Sequence, residues 1–289
     1  MAFEIITDSS ANLSREMVKE IGVHVLSLSF FLGDTEHYSF SMEEDFDSAA
    51  FYGRLRNKEH VKTSLVNADR FEAVYEKILD EGKDVLAIIM SSGISGTYQS
   101  AKIAADNIRE IYPERQIIVV DSLAASIGQG LLVYYAAQMK NEGKSIEETA
   151  DWLYKNRLKM VHQFTVDDLF FLKRGGRLSG GVAIIGTVLQ IKPVLHVDDE
   201  GHLITQEKMK GRKKSLNRIA ELMKDNIINP EEQIVAICHG DCIEDAEYLA
   251  KKVRELYPVK DIIINMLDPA VGAHSGPGTI ALFYLGNKR

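Results

Sequence analysis

The chain has 289 residues, 45% hydrophobic and 26% charged, the balance of an ordinary globular protein of about two domains. Its 34 Lys and Arg against 42 Asp and Glu give a net charge of -8, which argues against a general nucleic-acid binder and a basic membrane-surface protein. Only two cysteines occur, Cys238 and Cys242, so no disulfide framework is expected and the compartment is a reducing, cytoplasmic one.

Residues 1–6 are short and acidic at Glu4, unlike a secretory signal, and residues 4–7 read as a first strand ending in Asp8-Ser9-Ser10. Residues 13–21 carry apolar side chains at helical spacing, 23–31 alternate as a strand, and 43–56 form an amphipathic helix. Asn67 caps a helix running to about residue 81, with Phe71, Val74, Tyr75 and Ile78 on one stripe. The runs 84–90 and 116–120 are nearly all apolar, as strands buried on both faces are, and each is followed by a helix. The longest uncharged stretch, 122–139, holds two Gly, two Ser and two Gln and makes a poor membrane span, so no stable membrane insertion is expected. Ser145 with Glu148 forms a capping box for a further helix. Apolar strands separated by helices predict a parallel α/β sheet.

The second half has another rhythm. Residues 167–173 form a short helix ending at Gly175-Gly176, and 180–190 are apolar and Gly-rich. Residues 193–208 read as a hairpin turning at Asp199-Glu200-Gly201. A helix over 213–226, a strand over 233–238, a helix over 243–256, a strand over 261–266 and an apolar run over 279–285 complete the chain. The fold class is therefore α/β, with a parallel-sheet N-terminal domain over 1–163 and a mixed-sheet C-terminal domain over 164–289.

Ligands of open parallel sheets bind beyond the carboxyl ends of the strands. Three strands end in polar groups there: Thr7-Asp8-Ser9, Ser91-Ser92-Gly93 and Asp121-Ser122. Lys62-Thr63-Ser64 stands before the next strand and adds hydroxyls. In 91–97, two glycines allow a tight turn directly before a helix, whose N-terminus favours an anion, with Ser95 and Thr97 as further donors. A polar turn with a serine cap fits the same residues. A Walker loop does not, because Thr97 stands where a lysine is needed. Gly93-Ile94-Ser95-Gly96-Thr97 nearly matches a nucleophile elbow, and Asp268 and His274 follow in the order Ser, Asp, His, which keeps a serine hydrolase acting on acyl esters open as an alternative. His274 lies in a Gly/Pro-rich stretch between two strands and suits either an anion contact or a base. The basic runs around Arg177 and Arg212 are either a solvated face or a docking patch. Cys238 and Cys242 have a spacing that is no zinc signature, and no metal is expected.

Taken together, 8–13 (DSSANL), 62–64 (KTS), 91–101 (SSGISGTYQSA), 172–179 (LKRGGRLS), 190–193 (QIKP) and 272–278 (GAHSGPG) resemble the DegV family, in order and over nearly the whole chain. The resemblance implies a two-domain DegV-like fold that binds a long-chain fatty acid in a tunnel, and FakB-like members that present it to a fatty acid kinase partner. It implies that Thr63 and Ser95, with Gly96 in the same loop, bind the carboxylate, and that His274 lies close to the head group. Arg177, and on a weaker match Arg212, are implied contacts with the kinase. The chain itself would then be a carrier with no catalytic residue and no cofactor besides the bound fatty acid. One departure is visible: Leu65-Val66 stand where many members have Gln-Pro.

Overall fold

Described by a computed structural model over residues 2–44, 46–179 and 191–289, the chain divides into two units. Unit 1 is Met1–Phe46 with Lys62–Arg157, and unit 2 is Asp47–Val61 with Leu158–Arg289. The apolar stretch 180–190, including Gln190 of the 190–193 motif, lies outside the described residues.

In chain order unit 1 begins with β1 (Phe3–Asp8), α1 (Arg15–Ile21), β2 (His24–Leu26), β3 (Ser29–Leu32) and β4 (Thr35–Tyr38). Helix α2 (Ser48–Arg56) follows in sequence but belongs to unit 2. Unit 1 then continues through β5 (Lys62–Ser64), α3 (Ala68–Asp80), β6 (Asp84–Ile89), α4 (Thr97–Arg109), β7 (Ile117–Asp121), α5 (Ile127–Asn141) and α6 (Ile146–Asn156). The main sheet has the order β2-β1-β6-β7, and every pair in it is parallel. All six residues of β6 are buried, which explains why the run is apolar from Val85 onward. Because these strands are parallel, the polar ends of β1, β6 and β7 share one edge. The reading of 23–31 as one strand is corrected: it breaks into β2 and β3 at Ser27-Leu28, and β3 leaves for a second, antiparallel sheet of order β4-β3-β5. Residues 62–64 are themselves a strand there. The expected caps are present: Asn67 Oδ1 accepts from Arg70 N–H at 3.2 Å, and Ser145 and Glu148 make a reciprocal box.

Unit 2 contains β8 (Met160–Thr165), α7 (Leu169–Arg174), β9 (Ile191–Val197), β10 (Leu203–Lys210), α8 (Arg212–Glu221), β11 (Ile234–His239), α9 (Ile243–Leu256), β12 (Asp261–Met266), α10 (Pro269–Ser275) and β13 (Ile280–Leu285). Its mixed sheet has the order β10-β9-β8-β13-β11-β12, with only β11 and β12 parallel. Helices α8 and α9 bury Leu216, Ile219, Leu249 and Val253 in one core with Val235 and Ile237 of β11 and Leu282 of β13. The hairpin β9-β10 turns as expected, with Asp198 Oδ1 accepting from His202 N–H at 2.8 Å and Gly201 at φ +81°. The stretch after Asp268 is a helix rather than a loop. Asp268 Oδ1 accepts from Ala270 N–H at 2.8 Å and Val271 N–H at 3.3 Å, and Pro269 occupies the first helical position, where no N–H is needed. Among the described residues no helix is long and apolar enough to cross a membrane.

Candidate functional site

One buried carboxylate organises the strand ends of unit 1. Asp8 is fully buried at the end of β1. Its Oδ1 accepts from Ser10 N–H at 3.0 Å and from the Ser10 hydroxyl. Its Oδ2 accepts from Met90 N–H at 2.9 Å and from Gln129 Nε2 at 3.1 Å. Burial pushes the Asp8 carboxyl above the usual range, and these donors oppose the push. The carboxylate thus ties the ends of β1 and β6 to α5.

The loop after β6 is held as tightly. Ser91 N–H donates to Ala124 C=O at 2.9 Å, and Ser92 N–H to Asp121 Oδ1 at 3.2 Å. Gly93 N–H donates to Ser91 Oγ at 3.1 Å, and the N–H groups of Ile94 and Ser95 both donate to Ser91 C=O at 3.1 Å. With Met90 bonded to Asp8, each backbone N–H from Met90 to Ser95 is engaged inside the unit. The facing loop carries Leu123 at φ +49° and Ser126 at φ +54°, left-handed positions that non-glycine residues adopt only where the surroundings impose them.

The backbone N–H groups this loop leaves for a ligand therefore lie beyond Ser95. Ser95 is half-buried, and its Oγ lies 2.9 Å from Thr97 Oγ1 and accepts from Thr97 N–H at 3.3 Å. Gly96 is the N-cap of α4 and makes no side-chain cap bond. The N–H groups of the first turn of α4 have no carbonyl one turn back to serve them, and the helix dipole adds partial positive charge. Thr63, half-buried in β5, pairs with Phe30 of β3. Leu65 lies against the same helix start: a Cβ on Gly96 would stand 3.1 Å from Leu65 Cδ2. The 63–65 segment and the Ser95-Gly96 turn are thus neighbours, with the leucine side chain beside a glycine that stays exposed.

His274, Arg177 and Arg212 belong to unit 2. His274 lies on α10 beside the end of α7, where Gly175 leaves space: a Cβ there would run into His274 Nδ1. Burial, then the charges of Arg177 and Arg174, push His274 down from 6.5 to about 4. Its imidazole is neutral at pH 7. Arg177 is half-buried and donates from Nη1 to Gly175 C=O, and burial lowers its own pKa. Arg212 opens α8 and is held by two carboxylates, with Nε donating to Asp245 Oδ2 at 2.8 Å and Nη1 3.6 Å from Asp167 Oδ1. Cys242 Sγ is 3.8 Å from Arg212 Nη2, and burial pushes this thiol up to about 12. Neither cysteine forms a disulfide, and among the described residues no three His, Cys, Asp or Glu side chains are grouped to hold a metal.

Sequence reasoning missed the role of Asp8. The signal was a carboxylate directly after a buried apolar strand, a position that requires several donors to tolerate it. The Gly/Pro-rich composition of 268–279 also hides the helix that carries His274.

Comparison with known proteins covers the whole chain. The model of the DegV family, described as an uncharacterised protein family, matches residues 2–287. A DegV domain-containing protein of Clostridium perfringens is 46% identical over 287 residues, covering 99% of this chain and 98% of its own. Among solved structures, a fatty-acid-binding DegV family protein from Thermus thermophilus is 29% identical with a TM-score of 0.87, covering 99% of this chain and 100% of its own. A fatty acid binding DegV family protein from Streptococcus agalactiae is 29% identical with a TM-score of 0.85, covering 100% of both chains.

Proposed function

The chain belongs to the DegV family, and from that premise we propose that it is a carrier that binds a long-chain fatty acid such as palmitate and presents the carboxylate to a fatty acid kinase. The observation that carries this reading is the full-length likeness to the fatty-acid-binding proteins of Thermus thermophilus and Streptococcus agalactiae, each 29% identical. In this reading Thr63, Ser95 and the helix start at Gly96 receive the carboxylate, and His274, as a neutral imidazole, contacts the same head group. A few hydroxyl and N–H donors suffice for the head group, because burial of an acyl chain contributes ~0.8 kcal/mol per CH₂. The kinase transfers the terminal phosphoryl group of its nucleotide to a carboxylate oxygen, giving an acyl phosphate for lipid metabolism. No nucleophile or cofactor is required of the carrier. Arg177 and Arg212 are the docking residues we assign, and the cytoplasm is the compartment.

The chemistry of His274 favours a carrier over a serine hydrolase. A general base works best with a pKa near the working pH, and His274 is pushed to about 4. Asp268, the third member such a triad would need, spends Oδ1 on the N-terminus of α10. The test is denaturing mass spectrometry of lipid extracted from the purified protein. A bound C16–C18 fatty acid is expected; protein that is empty and takes up no added palmitate would refute the reading.

A further inference from the structure

We propose that Thr97 is a positioning residue that fixes Ser95 as a hydrogen-bond donor, so that the site takes an anionic, accepting head group and turns away a donating one. The inference rests on the fatty-acid reading and goes beyond it by assigning the origin of head-group selectivity. Thr97 is the first residue of α4 and fully buried, whereas Ser95 is only half-buried. Their hydroxyl oxygens are 2.9 Å apart, and the distance alone leaves either one as the donor. Burial decides between them. Among the described residues, Ser95 Oγ is the one hydrogen-bond partner of Thr97 Oγ1. Were Ser95 to donate, the Thr97 proton would be buried with no acceptor, an arrangement proteins avoid. With Thr97 donating, both protons are usable.

Thr97 also donates its N–H to the same Ser95 Oγ at 3.3 Å. A serine oxygen has two acceptor sites and one proton. The N–H and O–H of Thr97 fill both acceptor sites, and Ser95 keeps only its proton to offer. Since the backbone N–H groups from Met90 to Ser95 are engaged, that proton is the donor Ser95 itself offers directly before α4. A carboxylate accepts it in a charge-assisted bond. An ammonium group, which only donates, meets a hydroxyl with no acceptor site left.

The test is calorimetric titration of delipidated protein with palmitate and with hexadecylamine, which is protonated at pH 7. Thr97→Val removes the hydroxyl and keeps the shape; the ratio of palmitate to hexadecylamine affinity is expected to narrow by about tenfold. Thr97→Ser restores the ratio. In a Ser95→Ala background, Thr97→Val is expected to cause no further change, which a merely structural role for Thr97 would not produce. Should valine fail to pack, Thr97→Ala carries the same expectations. An unchanged ratio in the hydroxyl-free variant, or an equal loss in the Ser95→Ala background, overturns the inference and leaves fatty-acid binding standing. Wild-type protein that binds no palmitate overturns both.

Discussion

Replacing His274 with asparagine should remove a pH dependence of stability between pH 4 and 6.5. The imidazole is pushed from 6.5 to about 4 by burial and by Arg177 and Arg174. In the unfolded chain it regains its ordinary value, so between these pH values the unfolded state binds more protons than the folded one. Stability therefore rises with pH through this window and is lost as pH falls through it. At about 1.4 kcal/mol per pH unit, the fall from 6.5 to about 4 makes a loss of ~3 kcal/mol. Carboxylates titrate over the same range, so the quantity to read is the difference between wild type and His274→Asn in urea denaturation at pH 4.0, 5.0, 6.0 and 7.0. The difference is expected to change by ~3 kcal/mol in favour of the variant on acidification. NMR titration of the imidazole gives the same pKa independently, and Arg177→Ala should raise it. Parallel loss of stability in both proteins, or an imidazole titrating near 6.5, refutes the reasoning.

Thr63→Ala combined with Ser95→Ala should weaken palmitate binding by at least tenfold without unfolding the protein, since each charge-assisted bond is worth ~1.5–3 kcal/mol; calorimetric titration and a melting curve check both halves. Asp8→Asn should destabilise by ~2–3 kcal/mol in denaturant titration, because Ser10 N–H and Met90 N–H point at different oxygens and one of them must then face an amide NH₂. Arg177→Ala should retain bound fatty acid and lower acyl-phosphate formation in a reconstituted kinase pair; loss of the ligand would make Arg177 a pocket residue instead.

Where the signal was local, the sequence was legible. The Asn67 cap, the Ser145–Glu148 box, the strand of β6 and the whole of α9 rest on residues within one or two turns of each other. The polar strand ends share an edge because the strands are parallel, and the Ser95-Gly96 turn opens its helix as expected. What was hidden depended on distant partners. β8 carries His162, Gln163 and Thr165 in its buried run, so it looks unlike a buried strand until β9 and β13 flank it. The helix around His274 contains Pro269 and Gly272, residues of poor helix propensity; Asp268 starts it, and a Cβ on Gly272 would overlap the Tyr52 hydroxyl. The donors around Asp8 come from Ser10, Met90 and Gln129, and no spacing along the chain announces that convergence.

Helix α2 sets the timetable by which unit 2 is completed during synthesis. The backbone passes between the units at 46/47, 61/62 and 157/158, so α2 is made early and finds its place late. Tyr52, fully buried, donates to the carbonyl of Leu267, 215 residues further along, at 3.2 Å, and Arg56 donates to the carbonyl of Asp241 at 2.8 Å. A ribosome adding ~5–20 residues per second needs ~10–40 s to span that gap. Throughout that interval Tyr52 lacks the Leu267 carbonyl and the Gly272 face of α10 against which it is finally buried.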